Sequence, residues 1–301
     1  MNVQFMKIGV SLFGLSIASC LMAQRVAAQE TQPITIQFRG MAGQQVFRCD
    51  AAYSLGTPAI SVNPTDFRFY VSEAALIDAQ GRTVPVTLTQ DQKWQYQNVA
   101  LIDFENKSGM CSNGTIDTND RIVGTVPKGT YKGVKFTLGV PFKLNHNDAA
   151  IAPSPLNLTS LWWNWRAGYK FARIDFTPAM SAHSKHDAPG KTPAHHRDRA
   201  GFIIHLGSTG CMGGAQKPES CKNPNTSTIT LNNFNPEQDA IAADITALVA
   251  NTNLAKNQPE TPLGCMSDPK DGDCAGVMRN FGLPWNGQPA RQTFFRVAPK
   301  Q

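Results

Sequence analysis

Leu161-Trp-Trp-Asn-Trp-Arg-Ala-Gly-Tyr-Lys-Phe-Ala-Arg-Ile-Asp-Phe176 is the densest aromatic stretch of the chain. Three of the five tryptophans, Trp162, Trp163 and Trp165, fall within four positions. His146 stands upstream, across a short Pro-rich loop. Rings at this density belong to a core or a site, because each buries a large apolar area. The second half of the stretch, 169–176, alternates apolar and polar residues at period two, the mark of a half-buried strand. Trp163 and Trp165 would share one face of such a strand, the arrangement that core packing favours.

Outward from there, the same period recurs at 34–38, 66–71, 84–88, 99–104 and 133–138, with shorter runs at 202–206 and 228–231. Turn chemistry separates them: Asn63-Pro64, Gln80-Gly81, Ser112-Asn-Gly114 and Pro127-Lys-Gly129. Many short strands between Gly/Pro turns predict a mostly β fold, an antiparallel β-sandwich with long loops. One helix is expected near the C-terminus, over about 236–250. There Ile241, Ile245, Leu248 and Val249 form a helical stripe, Asn235 offers a cap, and Pro236 suits the first helical position. No repeat and no compositional break divides the chain, so a single domain is expected over 29–301. Within it, 178–200 carries His183, His186, His195 and His196 among small and polar residues and reads as a long exposed loop.

The 301 residues are 17% charged and 41% hydrophobic, a globular composition. The net charge of +6 is scattered without a basic run, which argues against nucleic acid as the main partner. Residues 1–28 read as a signal peptide, with an apolar run at 8–23 too short for a confident membrane span. Ile17-Ala-Ser-Cys20 resembles a lipobox, which would put a lipid on Cys20 and anchor the protein at the outer membrane. Val26-Ala-Ala28 instead suits cleavage before Gln29. Either outcome exports the chain to the periplasm or the cell surface. The six further cysteines, Cys49, Cys111, Cys211, Cys221, Cys265 and Cys274, fit three disulfides in an oxidising compartment. Local spacing favours Cys211–Cys221 and Cys265–Cys274, leaving Cys49–Cys111.

Hydrolase signatures are missing: there is no Gly-x-Ser-x-Gly, no His-Glu-x-x-His and no phosphate-cradling glycine loop. Gly207-Ser-Thr-Gly-Cys211 sets a serine beside His205, but without an assignable orienting acid. Asp268-Pro-Lys-Asp-Gly-Asp273 gathers three carboxylates, fewer than the oxygens a calcium ion takes, and reads as a solvated turn. His146 and His205 are the metal candidates, since two neutral imidazoles suit copper without carboxylates.

At these residues the chain resembles the MbnP-like copper-binding proteins, the metallo-mystery pair four-Cys motif family. The resemblance rests on Val99-Ala-Leu-Ile-Asp-Phe-Glu105 with Cys111, Gly129-Thr-Tyr-Lys-Gly133, Phe136-Thr-Leu-Gly-Val-Pro141 and Leu144-Asn-His146. It continues through Trp163-Asn-Trp165, Gly168-Tyr-Lys-Phe171, His205-Leu-Gly-Ser-Thr-Gly-Cys211, Cys221 with Pro224-Asn225, Gly264-Cys-Met-Ser267 and Cys274. It covers nearly the whole mature chain. The resemblance implies an exported, non-enzymatic copper-binding β-sandwich with a role in copper acquisition or homeostasis. It implies copper, Cu(I) or Cu(II), as the cofactor, held by His146, His205 and a tryptophan oxidised to kynurenine. It also implies a partner, an MbnH-like di-haem cytochrome c peroxidase that performs the oxidation. Ring opening makes chemical sense, because an indole N–H only donates while an aryl amine has a free lone pair. Trp94 is the favoured modified residue, with Trp163 second. The Trp-x-His arrangement of more distant relatives is absent. The alternatives are a copper or other redox enzyme with an open coordination position, and a disulfide-stapled cell-surface binding module without a functional metal.

Overall fold

The computed structural model describes residues 1, 3, 29–179, 201–214 and 217–300. The expected signal peptide with Cys20, and nearly all of the His-rich stretch 178–200, lie outside the described residues. From the N-terminus the main strands are β1 (Thr31–Ala42), the nineteen-residue β2 (Ile60–Asp78), β3 (Val99–Asp103), β4 (Arg121–Pro127) and β5 (Tyr131–Leu138). The central segment adds β6 (Trp162–Asn164), β7 (Gly168–Tyr169) and β8 (Ala172–Pro178). Then come β9 (Phe202–Leu206), β10 (Thr209–Met212), β11 (Ser220–Asn223), β12 (Ser227–Asn232), β13 (Asp239–Asp244) and β14 (Phe295–Pro299). The helices are short: α1 (Phe142–Asn145), α2 (Ile245–Leu248) and α3 (Cys274–Asn280).

Two sheets form the sandwich. One runs in the order β14-β13-β1-β4, and the other in the order β9-β8-β2-β5-β12, with β3 also pairing β2. Phe38 of the first sheet meets Phe69 and Phe136 of the second edge-on, with ring centroids 5.9 and 5.7 Å apart. Phe294 and Phe295 close the same cluster. Such edge-to-face pairs add to what area burial alone gives. All pairs among these strands are antiparallel except β1 with β13, which is parallel.

The three disulfides are Cys49–Cys111, Cys211–Cys221 and Cys265–Cys274. The helix near the C-terminus exists as α3, not over 236–250. That segment is β13 followed by the single turn α2. Ala240, Ile241, Ala242 and Ala243 are all fully buried, because β13 is an inner strand covered on both faces. A strand in that position carries a continuous apolar run, which mimics a helix in sequence. Asn235 does not cap a helix; its side chain closes a turn onto Glu237 N–H. The cap is Asp244, whose Oδ1 accepts from Thr246 and Ala247 N–H.

The alternation of β2 sets up everything else. Phe67, Phe69 and Val71 face the partner sheet, so Asp66, Arg68 and Tyr70 face the other way. That outer face is buried too, beneath residues 141–171. Tyr70 Oη donates to Pro155 O at 3.0 Å, Tyr169 Oη donates to Leu156 O, and the Arg173 guanidinium donates to Ser160 O at 3.1 Å. The aromatic stretch is therefore a third layer over a polar sheet face.

Candidate metal centre

Strand pairing lines up His205 opposite Arg173, Arg173 opposite Arg68, and Arg68 opposite Asp103, one residue from each of four adjacent strands. Asp175 and Asp66 form the neighbouring row. Charges placed out of water must be paired, and both arginines are. Arg68 grips Asp66 through two bonds, 2.7 and 2.6 Å. Arg173 Nε donates to Asp175 Oδ2 at 2.7 Å and lies 3.1 Å from Asp66.

His205 ends this row. Its Nε2 lies 3.2 and 3.4 Å from the two Asp175 oxygens, so the carboxylate favours the proton on Nε2. Nδ1 is then the lone-pair nitrogen, and it is buried with no partner. Burial lowers the His205 pKa and outweighs Asp175, which acts to raise it, so the ring is neutral at pH 7. Burial alone would push the Asp175 carboxyl up. The His205 and Arg173 contacts outweigh it and hold that carboxyl below its ordinary range. The Trp163 ring is tilted beside His205, with centroids 6.3 Å apart.

His146 is differently placed. It follows α1 and is 3% exposed. Its Nδ1 lies 3.2 Å from Trp165 O, and its Nε2 lies 3.2 Å from Asn145 Nδ2 and 3.5 Å from Cys221 Sγ. Both ring nitrogens thus have partners. Burial lowers its pKa, with the Trp165 carbonyl acting in the opposite sense. His146, Cys211 and Cys221 bring one donor atom each within 4.8 Å of one another. The two sulfurs are joined in a disulfide, so neither is the thiolate that binds metal well. Asn145 ties the two histidine neighbourhoods together: it accepts from Tyr169 N–H and donates to Ser208 Oγ, three residues beyond His205.

A cavity of about 610 Å³ opens on this side, lined among others by Trp163, Arg166, Ser208, Cys211, Pro262 and Met266. Trp163 is half-buried at its wall rather than in the core, and Trp165 is 38% exposed with the Arg166 guanidinium over its ring. Trp94 sits elsewhere. It packs partly against the core, with Lys93 Nζ 5.2 Å from its ring centroid, and no aromatic pair or hydrogen bond among the described residues joins its ring to either histidine. Ser208 Oγ donates to Pro224 O, away from His205, so no nucleophile–base pair forms there. Asp268, Asp271 and Asp273 each accept a backbone N–H of the turn around them or of Gln258.

Sequence alone singles out neither Asp175 nor Met266 as a site residue. Asp175 was visible as a charge inside an apolar strand. Met266 lies inside Gly264-Cys-Met-Ser267, and only the fold shows which side of the sheet it lines.

A disulfide-stapled β-sandwich with a carboxylate-backed histidine beside a tryptophan defines a class of metal-site candidate. The chain belongs to the MbnP family: the family model described as MbnP matches residues 31–267. Among solved structures it is similar to MbnP from Methylosinus trichosporium, with 29% identity and a TM-score of 0.76, over 90% of this chain and 100% of that one. No curated protein matches it.

Proposed function

We propose that this chain is an exported copper-binding protein with a role in copper acquisition or homeostasis, and that it turns over no substrate. The observation that carries the reading is His205. Its Nε2 is oriented by a buried carboxylate and its Nδ1 is left buried without a partner, the pattern that outer carboxylates impose on metal-ligating histidines. A neutral imidazole nitrogen suits copper, and bound copper would supply one-electron chemistry or simply be cargo. His205 donates through Nδ1. His146 would be the second imidazole, its Nε2 lying 3.2 Å from Asn145 Nδ2 in this structure. The third nitrogen is an aryl amine from a tryptophan opened to kynurenine by a di-haem peroxidase. The 6.3 Å approach to His205 favours Trp163 over Trp94 for that role.

Three disulfides fit an oxidising compartment, and no helix among the described residues is long and apolar enough to cross a membrane. Periplasm or cell surface is the location proposed.

The test is copper binding by competition, with peptide mass spectrometry after incubation with the haem peroxidase and peroxide. The reading expects copper to bind the mature protein, binding to be lost in His205→Ala, and Trp163 to gain one oxygen and lose one carbon. Copper bound equally by wild type and His205→Ala would sink the site. A second reading, a disulfide-stapled surface module without metal, draws on the saturated hydrogen bonding of His146. It expects no copper binding by either protein.

A further inference from the structure

We propose that Cys211, Cys221 and His146 form a second metal site, opened by reduction of the Cys211–Cys221 bridge and suited to Zn(II). It goes beyond the copper reading above and does not depend on it. Filling this site withdraws His146 from the copper proposed at His205.

The three donors already converge. Cys211 Sγ, Cys221 Sγ and one ring nitrogen of His146 lie within 4.8 Å of one another. Cys221 Sγ is 3.5 Å from His146 Nε2. A tetrahedral zinc, about 2.1 Å from nitrogen and about 2.3 Å from sulfur, sets such a pair about 3.6 Å apart. The imidazole is aimed as well. Its Nδ1 lies 3.2 Å from Trp165 O, which can only accept, so the proton belongs on Nδ1 and the Nε2 lone pair faces the sulfurs. Asn145 Nδ2 meets that lone pair while the bridge is closed, and it keeps Ser208 Oγ as a partner when a metal takes its place.

The bond between the sulfurs stands in the way, and it is the most reachable of the three bridges. Cys49, Cys111, Cys265 and Cys274 are each 3% exposed or less. Cys211 lines the large cavity and Cys221 is half-buried. The hairpin β10–β11 is a two-stranded sheet apart from the sandwich, with Met212, Ser220 and Lys222 exposed. Thiol–disulfide exchange depends on such access. The reductant is a dithiol. Its thiolate attacks Cys221 Sγ, and Cys211 leaves as a thiolate and takes up a proton. The donor's second thiol then resolves the mixed disulfide, so the donor ends oxidised and both cysteines end as thiols. Zn(II) displaces one proton from each, since the thiolate is the ligand.

The hairpin keeps the pair together once the bridge opens. Cys211 and Cys221 face each other in register, between Thr209 opposite Asn223 and Met212 opposite Ser220. Asn223 Nδ2 donates to Thr209 Oγ1 at 3.1 Å, and Glu219 N–H donates to Met212 O at 2.9 Å. Two thiolates and one imidazole leave the fourth position of a zinc to water.

A bridge that serves stability alone makes a different prediction. It gains no metal on opening, and the hairpin frays instead.

The experiment reduces the full mature chain stepwise with a water-soluble phosphine and reads alkylation of each cysteine by peptide mass spectrometry. Co(II), a spectroscopic substitute for Zn(II), is then added, and Zn(II) is titrated. Cys211 and Cys221 should alkylate before the other four. The protein so reduced should show thiolate–cobalt charge-transfer absorption that the oxidised protein lacks, a sulfur signal that the four histidines of 178–200 cannot imitate. His146→Ala should weaken Zn(II) binding about tenfold or more, at least what losing an outer partner costs. A second measurement needs no variant: Zn(II) should protect Cys211 and Cys221 from alkylation. Joint reduction of the three bridges, a reduced protein without the thiolate–cobalt signal, or Zn(II) affinity unchanged in His146→Ala overturns the site. Copper binding by the oxidised chain tests the His205 reading alone, and its failure leaves this site standing.

Discussion

Gly207 passes beneath Trp163 so closely that a Cβ on it would lie 2.4 Å from the ring carbon Cζ3 and 2.8 Å from Tyr169 O. The backbone oxygen cannot yield, so a methyl group there must push the indole away from His205. Gly207→Ala should cost about 1–3 kcal/mol in stability from overpacking. It should also weaken copper binding while leaving His205 in place. Denaturant unfolding and copper competition on the same sample check both; a variant with wild-type copper affinity would show that the Trp163 position does not matter.

Asp175 touches the imidazole and not the proposed metal, so its role is positioning. Asp175→Asn keeps the size but can no longer favour a proton on Nε2. Copper affinity should fall about 10–100-fold, the usual cost of losing such an outer partner. Asp175→Glu should recover part of it. If Asp175→Asn binds copper as wild type does, the carboxylate is only part of the Arg173 and Asp66 ion pairing.

The disulfides should differ in what they contribute. Cys49–Cys111 spans 62 residues, whereas the other two span 10 and 9. On loop-closure entropy, removing the first by paired Cys→Ala changes should cost about 4 kcal/mol, against about 3 kcal/mol for either short one. Unfolding midpoints of the three double variants give the order directly. An inverted order would mean that the short bridges act mainly on the native state around Met266 and His146.

Asp103 stands among buried charges, with Arg68, Asp66 and Glu105 facing it. Burial pushes its pKa up to about 8, against the pull of Arg68. Between about pH 4 and 8 an unfolded chain has released this proton while the folded one keeps it. Stability should therefore fall as pH rises through that window, by up to about 1.4 kcal/mol per pH unit, and level off above it. Asp103→Asn keeps the acceptor for Glu105 N–H and should flatten the slope. Chemical denaturation of both proteins from pH 5 to 9 is the check; parallel curves would rule the carboxyl out as the source.

Much of the sandwich was legible because period-two alternation survives wherever a strand has one wet or one polar face. The runs at 34–38, 66–71, 133–138 and 202–206 all lie within strands. The failure at 236–250 has a definite cause: β13 is apolar on both faces, and alternation vanishes there. The site was legible in part. His205 and Trp163 fall together, but sequence alone could not separate a histidine with a partnerless nitrogen from His146, whose nitrogens both have partners. Trp94 looked promising because it precedes β3, yet adjacency to a strand says nothing about which end of the sheet the indole reaches. Asp175 and Met266 belong to the site through cross-strand register, a property of long-range pairing that no local window contains.

The parallel partnership of β1 with β13 joins residues 37–41 to residues 240–244. In a chain made N-terminus first, β1 is exposed long before that neighbour arrives. The first sheet cannot close until some two hundred further residues have followed, and contacts of such separation form slowly. Until that late partner docks, β1 keeps one edge without its parallel neighbour, so closure of this sheet belongs to the late stages of folding.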